Sequence, residues 1–219
     1  MKNIKVILAE DHTIVRKGLR SLLDIEEGIK VVGEAENGKQ VIKKVAQLKP
    51  DVVVMDIAMP LLNGLEATRR IKKDFPRVRV LVLSVHEDEE YIFQTLKAGA
   101  SGYLLKNAAP TDLVSAIKAA YRNEAFLSPS ISKKVVKEYI RQAAGTSREE
   151  NSYEKLTNRE REVLQLLAEG RTVKEIAHLL YLSTKTVQAH RAHLREKLNI
   201  NSNAELIKYA IRKGLIKIE

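Results

Sequence analysis

Apolar positions along the chain follow two rhythms. Up to about residue 125, short apolar blocks alternate with amphipathic stretches. The blocks IKVILA (4–9), KVVGEA (30–35), DVVVMD (51–56), VRVLVLS (78–84) and GYLLK (102–106) are too short for buried helices and rich in branched residues, so they predict strands. The stretches 13–24, 38–48, 65–74, 87–98 and 112–123 carry apolar residues at 3.6 spacing and predict helices. Strands apolar on both faces belong to a parallel sheet covered by helices on both sides.

Five β–α repeats predict an α/β domain over 1–125, a flavodoxin-like, doubly wound, five-stranded parallel sheet in the order 2-1-3-4-5. In such sheets ligands sit beyond the carboxyl ends of the strands, at the switch point of the topology. Residues 126–154 change character and are expected to be a linker with one helix at about 130–143. Its last part, GTSREENSYE (145–154), is polar, without apolar period, and reads as flexible. From Lys155 to residue 219 the pattern is helical throughout. Thr157 with Glu160, Thr172 with Glu175 and Ser202 with Glu205 have the spacing of capping boxes, Gly170 sits where a helix should end, and a further helix runs from near Ser183 to Leu198. Four short helices with tight turns predict a small all-α helix-turn-helix domain over 155–219.

The net charge of +10 is unevenly spread: +3 over 1–125, +1 over 126–154 and +6 over 155–219. The smallest folded piece thus carries most of the excess, the electrostatic footprint expected of a phosphate-backbone binder. The absence of cysteine excludes disulfides and thiolate metal sites and fits a reducing cytoplasm. The start, MKNIKVILAED, turns acidic too soon for a secretory signal, and no run approaches the roughly 18 apolar residues of a membrane span. The five histidines have no paired spacing that suggests zinc.

Three acids fall where the sheet rule places a ligand. Glu10 and Asp11 follow the first strand and Asp56 ends the third, and these two strands are neighbours in the expected order. Clustered carboxylates repel one another and are commonly stabilised by a hard cation, here expected to be Mg²⁺. Ser84 ends the fourth strand and Lys106 the fifth. A hydroxyl and an ammonium around an acid–metal cluster suit a transferred phosphoryl group, with one carboxylate attacking phosphorus in line. Phosphatases of the haloacid-dehalogenase type need a second acid two residues after the nucleophile, where this chain has Ala58, and no GxxxxGK[ST] nucleotide loop occurs.

With EDH at 10–12, MDIAMP at 55–60, Gly64, LSVH at 83–86 and GYLLK at 102–106, residues 1–125 resemble the receiver domain of response regulators. The resemblance implies that Asp56 is the phosphoacceptor, and that Glu10, Asp11, Asp56 and the backbone carbonyl of Ala58 hold Mg²⁺. It implies that Ser84 bonds a phosphoryl oxygen, that Lys106 pairs with the phosphoryl group, and that Tyr103 changes rotamer with phosphorylation. Asn107 stands where many receivers have proline, which removes the expectation of a cis peptide there.

In the second half, TVKEIAHLL (172–180), a turn at 181–183 and TKTVQAHRAHLREKL (184–198) have the layout of a helix-turn-helix. Val187, Leu194 and Leu198, extended by His190, can pack on Ile176, Ala177 and Leu180. The opposite face offers Lys185, Gln188, Ala189 and Ala192, with Thr184 and Thr186 at the start and Arg191 and Arg195 at the flanks. A long cation, an amide and small residues on one face suit a major groove: glutamine meets an adenine edge, lysine a guanine edge and alanine a thymine methyl. LTNREREVL, EIA, STKTV and LREKL make residues 155–200 similar to a LuxR-type helix-turn-helix, and the two halves together resemble the NarL/FixJ class of response regulators. That resemblance implies a phosphorylation-dependent transcriptional regulator rather than an enzyme, with a sensor histidine kinase, double-stranded DNA and RNA polymerase as partners. It also implies a homodimer when phosphorylated, a cytoplasmic location and no membrane association. The rival reading is a receiver-type relay or enzyme whose helical tail binds protein. The βα repeats and acid pocket exclude an acyl-homoserine-lactone sensor.

Overall fold

A parallel sheet forms because its strands alternate buried side chains between two helical layers. The computed structural model describes residues 3–85, 87–143, 152–200, 202–213 and 215–216. The chain divides into two compact units, Met1–Ala144 and Gly145–Glu219.

The first unit runs β1 (Ile4–Ala9), α1 (Thr13–Asp24), β2 (Ile29–Ala35), α2 (Gly38–Leu48), β3 (Val52–Met55), α3 (Gly64–Asp74), β4 (Arg79–Ser84), α4 (Glu89–Lys97), β5 (Gly102–Leu105), α5 (Pro110–Tyr121), β6 (Phe126–Leu127) and α6 (Pro129–Ala143). The strands are parallel, in the order β2-β1-β3-β4-β5-β6. Ile7, Val53, Met55, Val80, Val82 and Tyr103 face a core shared with Val41 of α2, Ile71 of α3, Ile92 of α4 and Ile131 of α6. Their strand neighbours Val6, Leu8, Val52, Val54, Leu81 and Leu104 face the other core, with Leu23 of α1 and Leu113 and Ile117 of α5. Side chains two apart share a face, which is why these strands read as unbroken apolar runs.

Two expectations need correction. The sheet has six strands, not five: Phe126–Leu127 pairs with β5 at Gly102 and Tyr103. That strand and α6, whose Ile131 is wholly buried, are built into the first unit although they lie in the stretch read as linker. A two-residue strand has no measurable period, so the pattern carried no trace of it. Helix α5 starts two residues earlier than expected, because Pro110 suits the first helical position and the Asp112 carboxylate accepts from the Ala109 amide at 3.3 Å.

The second unit holds α7 (Asn158–Ala168), α8 (Val173–Leu180), α9 (Thr184–Leu198) and α10 (Asn203–Arg212). All three capping boxes form. Glu160 and Glu175 each accept from the cap amide at 2.7 Å while Thr157 and Thr172 accept at 3.3 Å, and both bonds of the Ser202–Glu205 pair are 3.1 Å. Gly170 ends α7 with φ of 79°, a backbone that glycine adopts freely. Val163, Leu164, Ile176, Val187, Leu194, Leu206 and Ala210 form the buried interior. Of the stretch read as flexible, residues 145–151 lie outside the described residues, but Tyr153 is buried beneath the Arg161 guanidinium, 5.0 Å from its ring centre. The Tyr209 hydroxyl lies 3.0 Å from that of Ser152. A lone aromatic in a polar run acquires its role only from residues distant in sequence.

No helix among the described residues is long and apolar enough to cross a membrane.

Candidate functional site: an acid pocket and a recognition helix

The sheet register brings the expected pocket together. Ala9 pairs with Met55, and the Asp56 amide donates to the Ala9 carbonyl at 2.8 Å, so Glu10 and Asp56 emerge side by side. Ser84 pairs with Leu105, and the Lys106 amide donates to the Ser84 carbonyl at 2.9 Å, which delivers Lys106 to the same edge. Its ammonium lies 2.6 Å from Glu10 Oε2 and 3.0 Å from Asp56 Oδ2. Asp56 Oδ1 accepts from the Ile57 amide at 2.8 Å. Glu10, Asp56 and Ser84 are buried, whereas Asp11 keeps a quarter of its side chain open to solvent. Burying two carboxylates is costly unless cations and N–H donors offset it, and Lys106 does so for both.

Ligand atoms of Glu10, Asp11, His12 and Asp56 lie within 4.8 Å of one another. Three hard carboxylates this close fit Mg²⁺, which takes oxygen ligands. Ala58, whose carbonyl is the further expected ligand, is buried two residues beyond Asp56. Tyr103 is fully buried, and its hydroxyl hydrogen-bonds Ser84. Burial, with the nearby Asp56 charge, pushes that phenol far above its usual range, so it stays protonated. The described residues contain no cis peptide, Lys106–Asn107 included.

Gly64, noticed only as part of a pattern, has a steric reason. It opens α3, its amide donates to the Ile57 carbonyl at 2.7 Å, and a Cβ there would stand 2.0 Å from the Asp56 carbonyl oxygen. Two polar residues were missed. His12 places Nδ1 3.0 Å from Glu10 Oε1 and 2.9 Å from Asp11 Oδ1. Arg16 of α1 is buried against the loop that carries the acids. The adjacency of His12 to two acids was a usable signal; Arg16 looked like any cation on an amphipathic helix.

In the second unit Ser183 caps α9 by accepting from the Thr186 amide at 3.0 Å, and its hydroxyl also lies 2.8 Å from that of Thr186. The Thr186 hydroxyl thus also takes part in the cap. Thr184, Lys185, Gln188, Ala189 and Ala192 are exposed, while Val187, Leu194 and Leu198 are buried. Arg191 and Arg195 are half-buried and both donate to Asn203 Oδ1, at 2.8 and 3.1 Å, which braces them against the start of α10. Tyr181, in the turn, is 94% exposed with φ of 55°.

Comparison with known proteins agrees with this geometry. Residues 6–118 match the response regulator receiver domain, and residues 154–210 match the bacterial regulatory proteins of the luxR family. The oxygen regulatory protein NreC of Staphylococcus carnosus is 39% identical over 215 residues, covering 97% of this chain and 99% of that protein. Among solved structures, the response regulator ChrA of a heme-sensing two-component system is 33% identical, with a TM-score of 0.53 over 99% of this chain and 100% of that one. RcsB from Salmonella enterica serovar Typhimurium, bound to promoter rprA in the presence of phosphomimetic BeF₃⁻, is 32% identical, with a TM-score of 0.61 over 95% of this chain and 98% of that one. The chain belongs to the two-component response regulators that join a receiver domain to a LuxR-family helix-turn-helix, and it is a phosphorylation-dependent DNA-binding regulator of transcription.

Proposed function

We propose that Asp56 is the phosphoacceptor and that its phosphorylation by a sensor histidine kinase in the cytoplasm controls DNA binding. The observation that carries this reading is the Lys106 ammonium held between Glu10 and Asp56, at 2.6 and 3.0 Å, beyond the strand ends. An Asp56 carboxylate oxygen attacks phosphorus in line; the phosphorus–nitrogen bond of the kinase phosphohistidine breaks, and the imidazole leaves. Glu10, Asp11, Asp56 and the Ala58 carbonyl would hold Mg²⁺, which when bound would supply charge neutralisation for the phosphoryl oxygens. Lys106 exchanges its carboxylate partners for a phosphoryl oxygen, and Ser84 turns its hydroxyl to another. Tyr103, already hydrogen-bonded to Ser84, follows that movement. The chain turns over no outside substrate as its main task.

DNA binding is assigned to Thr184, Lys185, Gln188, Ala189 and Ala192 of α9 in a major groove. Thr186 belongs to the same DNA-binding set while also supporting the helix start, and Arg191 and Arg195 lie toward phosphate. The phosphorylated form is a homodimer that reads two half-sites and contacts RNA polymerase. The test is phosphorylation by acetyl phosphate. The wild type should take up phosphate only with Mg²⁺, and Asp56→Asn should take up none. Mg²⁺-independent phosphate on Asp56→Asn would remove the assignment. Salt-dependent affinity for duplex DNA separates this reading from a protein-binding tail, since only DNA releases counterions.

A further inference from the structure

We propose that Arg16 is a positioning residue for Mg²⁺ and phosphoryl uptake: it acts through the backbone carbonyls of the two acids, not through its charge. The inference rests on reading Asp56, Glu10 and Asp11 as the phosphorylation pocket. Arg16 lies in the first turns of α1, with only 7% of its surface exposed. Its Nη1 donates to the Glu10 carbonyl at 2.6 Å and to the Asp11 carbonyl at 3.4 Å. The rest of the fork faces away from the pocket, with Nη2 donating to Glu36 Oε1 at 2.7 Å and Nε to Glu34 Oε2 at 3.3 Å. One planar group thus ties the loop after β1 to the loop after β2.

The acids need such a tie. Glu10 and Asp11 are adjacent, like-charged and close to Asp56, so their mutual repulsion favours conformations that turn one side chain out of the pocket. The Glu10 amide is fixed to the Ala35 carbonyl at 2.9 Å, and Arg16 fixes the carbonyl side of the same residue. With both ends of the Glu10 backbone held, its carboxylate and that of Asp11 are aimed before the cation arrives. The fork fixes its own direction because four of its five N–H donors are spoken for at set angles, a geometry that an ammonium cannot copy. Glu34 and Glu36 offset the guanidinium charge, and Arg20 secures Glu34 from the next turn at 3.1 Å.

Charge and position make opposite predictions, which gives the test its sign. Removing a cation beside a Mg²⁺ site should strengthen metal binding by Coulomb's law; removing an aligner should weaken it. In the full chain, Mg²⁺ affinity is measured directly by calorimetry or NMR titration, and phosphorylation by acetyl phosphate as a function of Mg²⁺ concentration. Arg16→Met is expected to bind Mg²⁺ about 10–100-fold more weakly, the usual cost of losing a group that orients metal ligands. Its phosphorylation rate at saturating Mg²⁺ should return close to that of the wild type, because Arg16 touches no reacting atom. Arg16→Lys, which keeps one donor for the Glu10 carbonyl, should recover part of the loss. Glu36→Gln, which loosens only one anchor, should shift Mg²⁺ affinity in the same direction by less. Glu34 and Glu36 keep 35% and 55% of their side chains exposed, so Arg16→Met leaves neither as a buried lone charge, and its thermal transition should show a folded receiver. Unchanged or tighter Mg²⁺ binding in Arg16→Met overturns the inference, as does a rate that saturating Mg²⁺ does not restore. Should Arg16→Met fail to fold, unchanged Mg²⁺ affinity in both Arg16→Lys and Glu36→Gln overturns it equally. A wild-type chain that binds no Mg²⁺ and takes up no phosphate would instead overturn the pocket reading itself.

Discussion

A single methyl group at position 64 would press on the backbone of Asp56, the proposed acceptor. The Cβ of an alanine there would stand 2.0 Å from the Asp56 carbonyl oxygen and 3.0 Å from Ile57 Cα, both backbone atoms that cannot swing aside. Gly64→Ala should therefore destabilise the first unit by about 1–3 kcal/mol, the usual range for forced overpacking. Acetyl-phosphate labelling should slow as well, because the residue that must move is the proposed acceptor. A denaturant melt and a labelling time course check both, and wild-type behaviour in both would contradict the steric account. Tyr181 is the reverse case. Its φ of 55° is strained for a side-chain-bearing residue, and at 94% exposure burial offers no compensation. Tyr181→Gly should raise the stability of the helical unit by roughly 1 kcal/mol. The sequence made Glu10, Asp11, Asp56, Ser84 and Lys106 readable because each directly follows or ends an apolar run, and a strand's end is a position that spacing can define. Arg16 was unreadable for the opposite reason. It lies near the start of an amphipathic helix, four residues from Arg20, and only the approach of β2 shows which of the two is buried.

At the scale of elements, what escaped the pattern was whatever depends on pairing rather than on period. β6 has two residues, yet it joins α6 to the strand that carries Tyr103. The Ser128 amide donates to the Tyr103 carbonyl at 3.1 Å, and the Ser128 hydroxyl accepts from the Leu105 amide at 3.2 Å. Lys134 of α6 donates to the Glu87 carbonyl in the loop that follows Ser84, and lies 3.3 Å from Glu87 Oε2. α6 is therefore a structural part of the receiver, fastened beside the two residues expected to move. Ile131→Ala should cost about 2–5 kcal/mol of first-unit stability, as for other deletions of fully buried aliphatic side chains. A surface helix of a loose linker would lose almost nothing, so one melting curve decides. Helix α9 was readable from a narrow stripe, because its buried residues Val187, Leu194 and Leu198 follow the 3.6 period between exposed polar and small residues. The role of α10 was not: Asn203 gathers Arg191 and Arg195 through contacts 12 and 8 residues away in sequence. Gln188→Ala and Lys185→Ala should change base preference by roughly 1–3 kcal/mol where contacts are bidentate. Arg191→Ala and Arg195→Ala should weaken all duplexes alike and flatten the salt dependence. Binding to specific and random duplexes across a salt series distinguishes the two groups, and equal losses for all four would place base reading elsewhere.

For the whole molecule, the consequential feature is that each unit closes its own interior. The sheet of the first unit is sealed by helices on both faces, and the second has a separate apolar centre around Leu164, Val187 and Leu194. The charge follows the same division, with +6 of the +10 carried by residues 155–219. Ligands for the two units should therefore act on different parts of one melting curve. A ligand that binds only the folded form at about 100 times its dissociation constant adds about 2.7 kcal/mol. That raises the transition of the first unit by roughly 5–10 °C and that of the smaller second unit by roughly 10–20 °C. Mg²⁺ with beryllofluoride, a phosphoryl mimic for Asp56, should shift the transition of the first unit and leave the second in place. Duplex DNA should shift the second, and less so as salt rises, because the stabilisation rests on released counterions. Asp56→Asn should abolish the first response and preserve the second. Calorimetry of the full chain with each ligand alone provides the check. Were beryllofluoride to raise both transitions together in monomeric protein, the units would melt as one cooperative body, and separate interiors would not be enough to make them independent.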